Sequence, residues 1–186
     1  MKIIEIFKDV IFEICLNENL DDFLEYSKKL KKENGRKKSN VGGFQSDNLN
    51  LKELILQSLI KNIENYGNVF CNEILKMNKK ITLSNMWLNI NFYKDYNVSH
   101  VHPFSVLSGV FYIKSFKNSG SLIFEKDHSL EYCIKDQPIE YNLCNSTFHV
   151  IPPKENTLYL FPSWYKHCVE PNLSNEERIS ISFNLK

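Results

Sequence analysis

Beyond Lys80 the apolar residues recur at every second position in short runs separated by Asn, Gly, Pro and Ser clusters, and no helical period returns. Such runs predict strands. Strands that follow one another without intervening helices cannot make the crossovers a parallel sheet needs, so they predict antiparallel sheets in a sandwich or barrel. Upstream the rhythm differs. NLDDFLEYSKKLKKENG has acids at its start, lysines near its end and a closing glycine, the charge order a helix macrodipole favours, which predicts a helix over residues 19–34. LKELILQSLIKNIENYGNVFCNEILKM has apolar residues at helical spacing and predicts a second, longer helical region broken near Gly67. Residues 3–16 read as a strand or extended lead-in, and GRKKSNVGGFQSDNLN reads as a loop. The expectation is one domain, with a helical part over about residues 17–80 and a β core over about residues 81–186.

Composition removes several classes of partner. The 186 residues can bury a real core, and 23 Lys plus Arg against 22 Asp plus Glu leave no net field to draw the chain to nucleic acid or an anionic membrane. The KKENGRKK run is short and reads as a solvated helix end. Five cysteines, odd in number and without CxxC spacing, fit a reducing cytoplasm better than a disulfide framework. Glu5, Lys8, Asp9 and Glu13 interrupt the apolar start, and no apolar run reaches the roughly 20 residues of a membrane span. The sequence leaves the oligomeric state open, a homodimer being among the assemblies it allows.

Two strands divide their residues alike. In MWLNINFY, Met86, Leu88, Ile90 and Phe92 fall on one face and Trp87, Asn89, Asn91 and Tyr93 on the other; in RISISFNL, Arg178, Ser180, Ser182 and Asn184 alternate with Ile179, Ile181, Phe183 and Leu185. A merely solvated face would carry Lys, Glu and Thr. Aromatic bodies with a few hydrogen-bonding groups are what line small-ligand pockets, so both polar faces are expected to look into one cavity.

Of five histidines, His100 and His102 stand two positions apart. On extended backbone they project to one side, a two-toothed metal clamp. His167, which follows an apolar strand that runs into a Pro-Ser turn and so is expected at a strand end near the cavity mouth, is the candidate third ligand. His128 and His149 have no partner at useful spacing and read as structural. Arg178, the only arginine besides Arg36, offers a carboxylate a rigid fork that lysine cannot copy.

HVHPFSVLSGVFYI, LFPSWYKHCVEPN and ERISISFN, with VGGFQS and WLNINFY upstream, resemble the small 2-oxoglutarate- and iron(II)-dependent oxygenases, specifically a bacterial and phage group with an HxHP motif, over roughly residues 39–186. The resemblance implies a double-stranded β-helix, a cupin-like jelly-roll barrel with helices against its larger sheet. It also implies Fe(II) held by His100, His102 and His167, with Arg178 on the distal carboxylate of 2-oxoglutarate and Ser180 helping. Asn91 and Tyr93 match an N-x-Y pair that contacts the co-substrate, and Trp87, Asn89 and Tyr112 would wall the pocket. Molecular oxygen would be the second co-substrate and hydroxylation the default outcome. One departure stands out: the wider superfamily has a carboxylate where this chain has His102, so either three histidines bind the metal or an acid such as Asp127 substitutes. GGFQS would be a turn approaching the site or a plain loop, and Lys126 to Asn145 a loop region at the barrel mouth. Two other readings remain: a three-histidine cupin-type dioxygenase that needs no 2-oxo acid, and a jelly-roll module without catalysis.

Overall fold

A computed structural model describes residues 1–126 and 138–186. In chain order its main elements are β1 (Phe12–Cys15), α1 (Leu20–Leu30), β2 (Asn40–Val41), β3 (Phe44–Gln45), α2 (Gln57–Val69), β4 (Leu83–Asn91), β5 (Tyr96–His100), β6 (Leu107–Lys114), β7 (Leu122–Glu125), β8 (Phe148–Ile151), β9 (Thr157–Pro162), β10 (His167–Val169) and β11 (Arg178–Leu185). The strands form two antiparallel sheets, β1-β9-β6-β11-β4-β3 and β2-β5-β10-β7-β8. From β4 to β7, and again from β8 to β11, every connection carries the chain from one sheet to the other. That alternation is the jelly roll the resemblance implied, within the sandwich-or-barrel class expected from the unbroken run of strands.

Helix α1 forms for the reason its charge pattern implied, and α2 for the helical spacing of its apolar residues. Asn19 caps α1 by accepting from the Asp21 N–H at 3.2 Å, Asp21 and Asp22 occupy the first turn, and Lys28 and Lys29 the last. The helix ends at Leu30, short of the expected residue 34. A 3-10 turn, Leu54–Leu56, leads into α2, and a π-helical turn, Phe70–Ile74, follows it. The expected break at Gly67 does not occur. Gly67 is buried inside α2, where a Cβ would lie 2.8 Å from Leu185 Cδ1, so the glycine serves close approach of helix to sheet.

The loop expected between the helices contains β2 and β3, which join opposite sheets: Asn40 pairs with Asn97, and Gln45 with Asn89. Gly42 and Gly43, at φ +71 and +64, turn the chain between them. A Cβ on Gly43 would stand 2.6 Å from the Ile90 carbonyl oxygen. Two-residue strands are too short to show any alternation, which is why they escape sequence reading.

The larger sheet has two unlike faces. Leu59, Ile63 and Phe70 from the helical part pack on Met86, Leu88, Ile90, Ile181 and Phe183 in the main core. Inside the barrel a smaller cluster, Val110, Tyr112, Leu122, Tyr159 and Phe161, spans the two sheets. Gly109, between β9 and β11 in β6, admits no side chain, because a Cβ would collide with the Phe183 ring and the Tyr159 carbonyl oxygen. Gly109→Ala should cost about 1–3 kcal/mol, read as a lowered urea midpoint with an unchanged m-value.

Candidate metal centre

The polar faces of β4 and β11 meet in one cavity lined by aromatic and hydrogen-bonding side chains. Trp87, Asn89 and Asn91 enter it from β4, Arg178, Ser180 and Ser182 from β11, and Tyr112 from β6. Arg178 faces Asn91 across the ladder, and Ser180 faces Asn89. Tyr93 does not share the cavity. β4 ends at Asn91, the chain turns at Lys94 with φ +69, and the Tyr93 ring is left 56% exposed.

The three histidines arrive from the smaller sheet. In the ladder between β5 and β10, His167 is paired directly with His100, and the His102 N–H, just past β5, donates to the Ser163 carbonyl at 2.9 Å. One ring nitrogen from each of His100, His102 and His167 can be chosen so that all three lie within 4.8 Å of one another. No acid joins that cluster among the described residues; Asp127 and His128 lie outside them, as does part of the Lys126 to Asn145 segment. His149, expected to be structural, is an exposed residue of β8.

The hydrogen bonds select the tautomers. Nδ1 of His100 is 2.8 Å from the Val98 carbonyl oxygen and Nδ1 of His167 is 2.8 Å from that of Tyr165. A carbonyl only accepts, so each Nδ1 carries the proton and each Nε2 is left with a bare lone pair. Nε2 of His102 sits 3.3 Å from Nε2 of His167, its ring stacked at 9° to the His167 ring. The lone pair on His167 Nε2 is met at that distance either by a proton carried on His102 Nε2 or by a metal cation shared between the two rings. Burial, with its two histidine neighbours adding to it, pushes His102 down to about 3; burial and then His100 push His167 to about 4; burial also lowers His100. All three rings are therefore neutral near pH 7, the form that binds metal.

Arg178 is the other unusual group. Only 1% exposed, it donates through Nη1 to the carbonyl oxygens of Ser119, Gly120 and Glu170 at 2.5, 2.9 and 3.3 Å. Its Nη2 is buried without a partner among the described residues. Burial lowers its pKa, while Tyr112, Asp95 and Glu170 oppose the shift, so it stays a cation. A buried cation with an idle N–H edge in a cavity is a receptor for an anion. No pattern in the residue order around Arg178 announces what holds it. Gly120, at φ +87, is where a Cβ would run into the Glu170 carbonyl and come 2.6 Å from Nη1. Asn172, fully buried, ties the β4 end to the turn before β11 by donating to the carbonyls of Asn91 at 2.9 Å and Glu176 at 2.7 Å. A glycine in an Asn-Ser-Gly turn was the only available signal.

A family model described as "Putative 2OG-Fe(II) oxygenase" matches residues 85–184, and the chain belongs to that family of 2-oxoglutarate- and Fe(II)-dependent oxygenases. Similar solved structures include a prolyl-4-hydroxylase from Pseudomonas putida, at 14% identity and TM-score 0.66 over 95% of this chain and 92% of that one. Another is the viral collagen prolyl hydroxylase from Paramecium Bursaria Chlorella virus-1, in complex with 2-oxoglutarate, at 14% identity and TM-score 0.60 over 94% of each chain. HygX from Streptomyces hygroscopicus, with nickel and 2-oxoglutarate bound, follows at 8% identity and TM-score 0.64 over 95% and 82%. These likenesses are of fold. No curated protein matches the sequence. No helix among the described residues is long and apolar enough to cross a membrane.

Without metal, the folded histidines resist protonation down to about 4 or about 3 at His167 and His102, whereas unfolded imidazoles take protons near about 6.5. Below about pH 6.5 the unfolded chain thus binds more protons, and stability falls as pH drops toward about 4. Urea titrations of metal-free protein should show that fall, and His102→Gln should flatten it.

Proposed function

We propose that His100, His102 and His167 hold Fe(II) through Nε2, that Arg178 holds the distal carboxylate of 2-oxoglutarate, and that the chain hydroxylates a third molecule. The observation that carries this is the buried Nη2 of Arg178, unpaired among the described residues, in the same cavity as three neutral imidazoles that each bring a ring nitrogen within 4.8 Å of the others. Imidazole suits Fe(II), and the missing superfamily carboxylate leaves the iron site one charge more positive.

When bound, the iron supplies the oxygen chemistry that couples decarboxylation of 2-oxoglutarate, to succinate and CO2, with insertion of an oxygen atom into a C–H bond. The protein's part is positional. The Val98 and Tyr165 carbonyls keep the proton on Nδ1 of His100 and His167, so both rings present Nε2 to the metal. The carbonyls of Ser119, Gly120 and Glu170 grip Nη1 and leave Nη2 to donate to the co-substrate carboxylate. The Ser180 hydroxyl on the same face adds a further donor, and the Asn91 amide stands beside Arg178 across the ladder. Val110, Leu122, Phe161 and Val169 make one stretch of the wall apolar, which limits water there. We further propose a reducing compartment, a reading supported by the free thiols of Cys15, Cys71, Cys144 and Cys168.

Protein supplied with Fe(II) and 2-oxoglutarate under air should release succinate, with oxygen uptake that depends on the 2-oxo acid. His167→Ala should abolish turnover, and Arg178→Gln should raise the KM for 2-oxoglutarate by roughly tenfold or more, the loss of a charge-assisted hydrogen bond. Oxygen uptake that ignores 2-oxoglutarate, or unchanged turnover in either variant, would overturn the assignment. Gly120→Ala should reproduce the Arg178 defect while His167 and its neighbours still bind metal.

A further inference from the structure

Beside the metal centre, and sharing Trp87, His100 and His102 with it, lies a second cavity of about 630 Å3. Its charge is one-sided. Arg36 and Lys38 line it, and no Asp or Glu does among the described residues. The nearest acid to Arg36, Asp47 at 3.8 Å, is outside the lining and 79% exposed, so water screens it. The KKENGRKK segment is therefore more than a solvated helix end: the Arg36 side chain is only 27% exposed.

A file of side chains holds the guanidinium in place. Ser108 Oγ donates to Asn184 Oδ1 at 2.7 Å, Asn184 Nδ2 to Asn85 Oδ1 at 3.1 Å, and Asn85 Nδ2 to Asn48 Oδ1 at 3.5 Å; Arg36 Nη2 donates to that last oxygen at 2.8 Å. Two buried polar atoms on this cavity's lining residues are left without partners among the described residues, Nε of Arg36 and Oε1 of Gln45. Gln45 is 3% exposed. One atom is a donor lacking an acceptor, the other an acceptor lacking a donor, and buried polar groups are seldom left so in a finished complex. Loop flexibility does not account for Gln45, since β3 holds it in register with Asn89.

We propose that this cavity takes the molecule to be oxidised, and that this molecule is a small anion: a carboxylate or phosphate held by Arg36 and Lys38, with an N–H or O–H donated to Gln45. The proposal rests on the oxygenase reading of the neighbouring centre and adds to it the substrate class. Trp87 forms a wall common to both cavities, so the carbon skeleton of the anion lies along the indole between its charged end and the histidines.

Trp87 also supplies the test. The chain has two tryptophans, and Trp164 is 58% exposed, so Trp164→Phe leaves Trp87 as the single indole reporter. Metal-free protein of that background is titrated with N-acetyl amino acids, their methyl esters and glycerol phosphate. Saturable quenching at millimolar concentration is expected for the acids or the phosphate, with the esters weaker by roughly tenfold or more. Whichever anion binds better identifies the headgroup. Arg36→Gln and Lys38→Glu should each weaken that binding by roughly tenfold; Lys38 is exposed, so its exchange leaves the fold intact. Esters that bind as well as acids, variants that bind as well as the parent, or no binding by any probe would overturn the proposal. Because these titrations use neither metal nor 2-oxoglutarate, their failure leaves the oxygenase reading standing, and failure of the succinate assay leaves the cavity measurement valid.

Discussion

The centre depends on one register. β10 is three residues long, yet it is clamped between β5 and β7, and its first residue faces His100 on one side and Phe124 on the other. A slip of one residue would turn His167 out of the barrel and bring Cys168 in, because successive side chains on a strand face opposite ways. So short a strand cannot hold its own register. The Pro-Ser turn before it does, through the Ser163 N–H to the Val106 carbonyl at 3.1 Å and the His102 N–H to the Ser163 carbonyl at 2.9 Å.

Arg178 is positioned by a different device, backbone carbonyls in place of a carboxylate. Three carbonyl oxygens spread over Nη1 and satisfy one arm of the fork without neutralising its charge. An ion pair would have stabilised the empty protein and competed with any incoming anion. The arrangement works only because Gly120 lets the chain come this close, at a φ that side chains seldom adopt. Family membership removes the reading of the barrel as a non-catalytic module, and supports the proposal that Arg178 holds 2-oxoglutarate.

Much of this was legible in the residue order. The alternation in MWLNINFY and RISISFNL foretold two faces and one cavity, and HxH on extended backbone foretold two converging rings. Where reading failed, a local rule met a non-local constraint. Tyr93 continued the alternation on paper, but the strand stops at Asn91 because the chain must turn toward Asp95, whose carboxylate accepts the Phe92 N–H at 2.7 Å. Gly67 looked like a helix breaker and is instead a contact with Leu185. Arg36, read as one charge in a basic run, belongs to a polar file that begins 72 positions away at Ser108 and passes through Asn184.

The sequence by itself determined the class of fold, the two-faced strands and the side chains able to ligate a metal, since periodicity and ligand chemistry are properties of neighbouring residues. Only the tertiary structure decided that residues 65 apart, His102 and His167, bring their Nε2 atoms to 3.3 Å, that one arm of Arg178 has no partner among the described residues, and that Gln45 and Arg36 share a cavity. Those are consequences of strand pairing across the barrel, and pairing partners distant along the chain leave no trace in the spacing of either one.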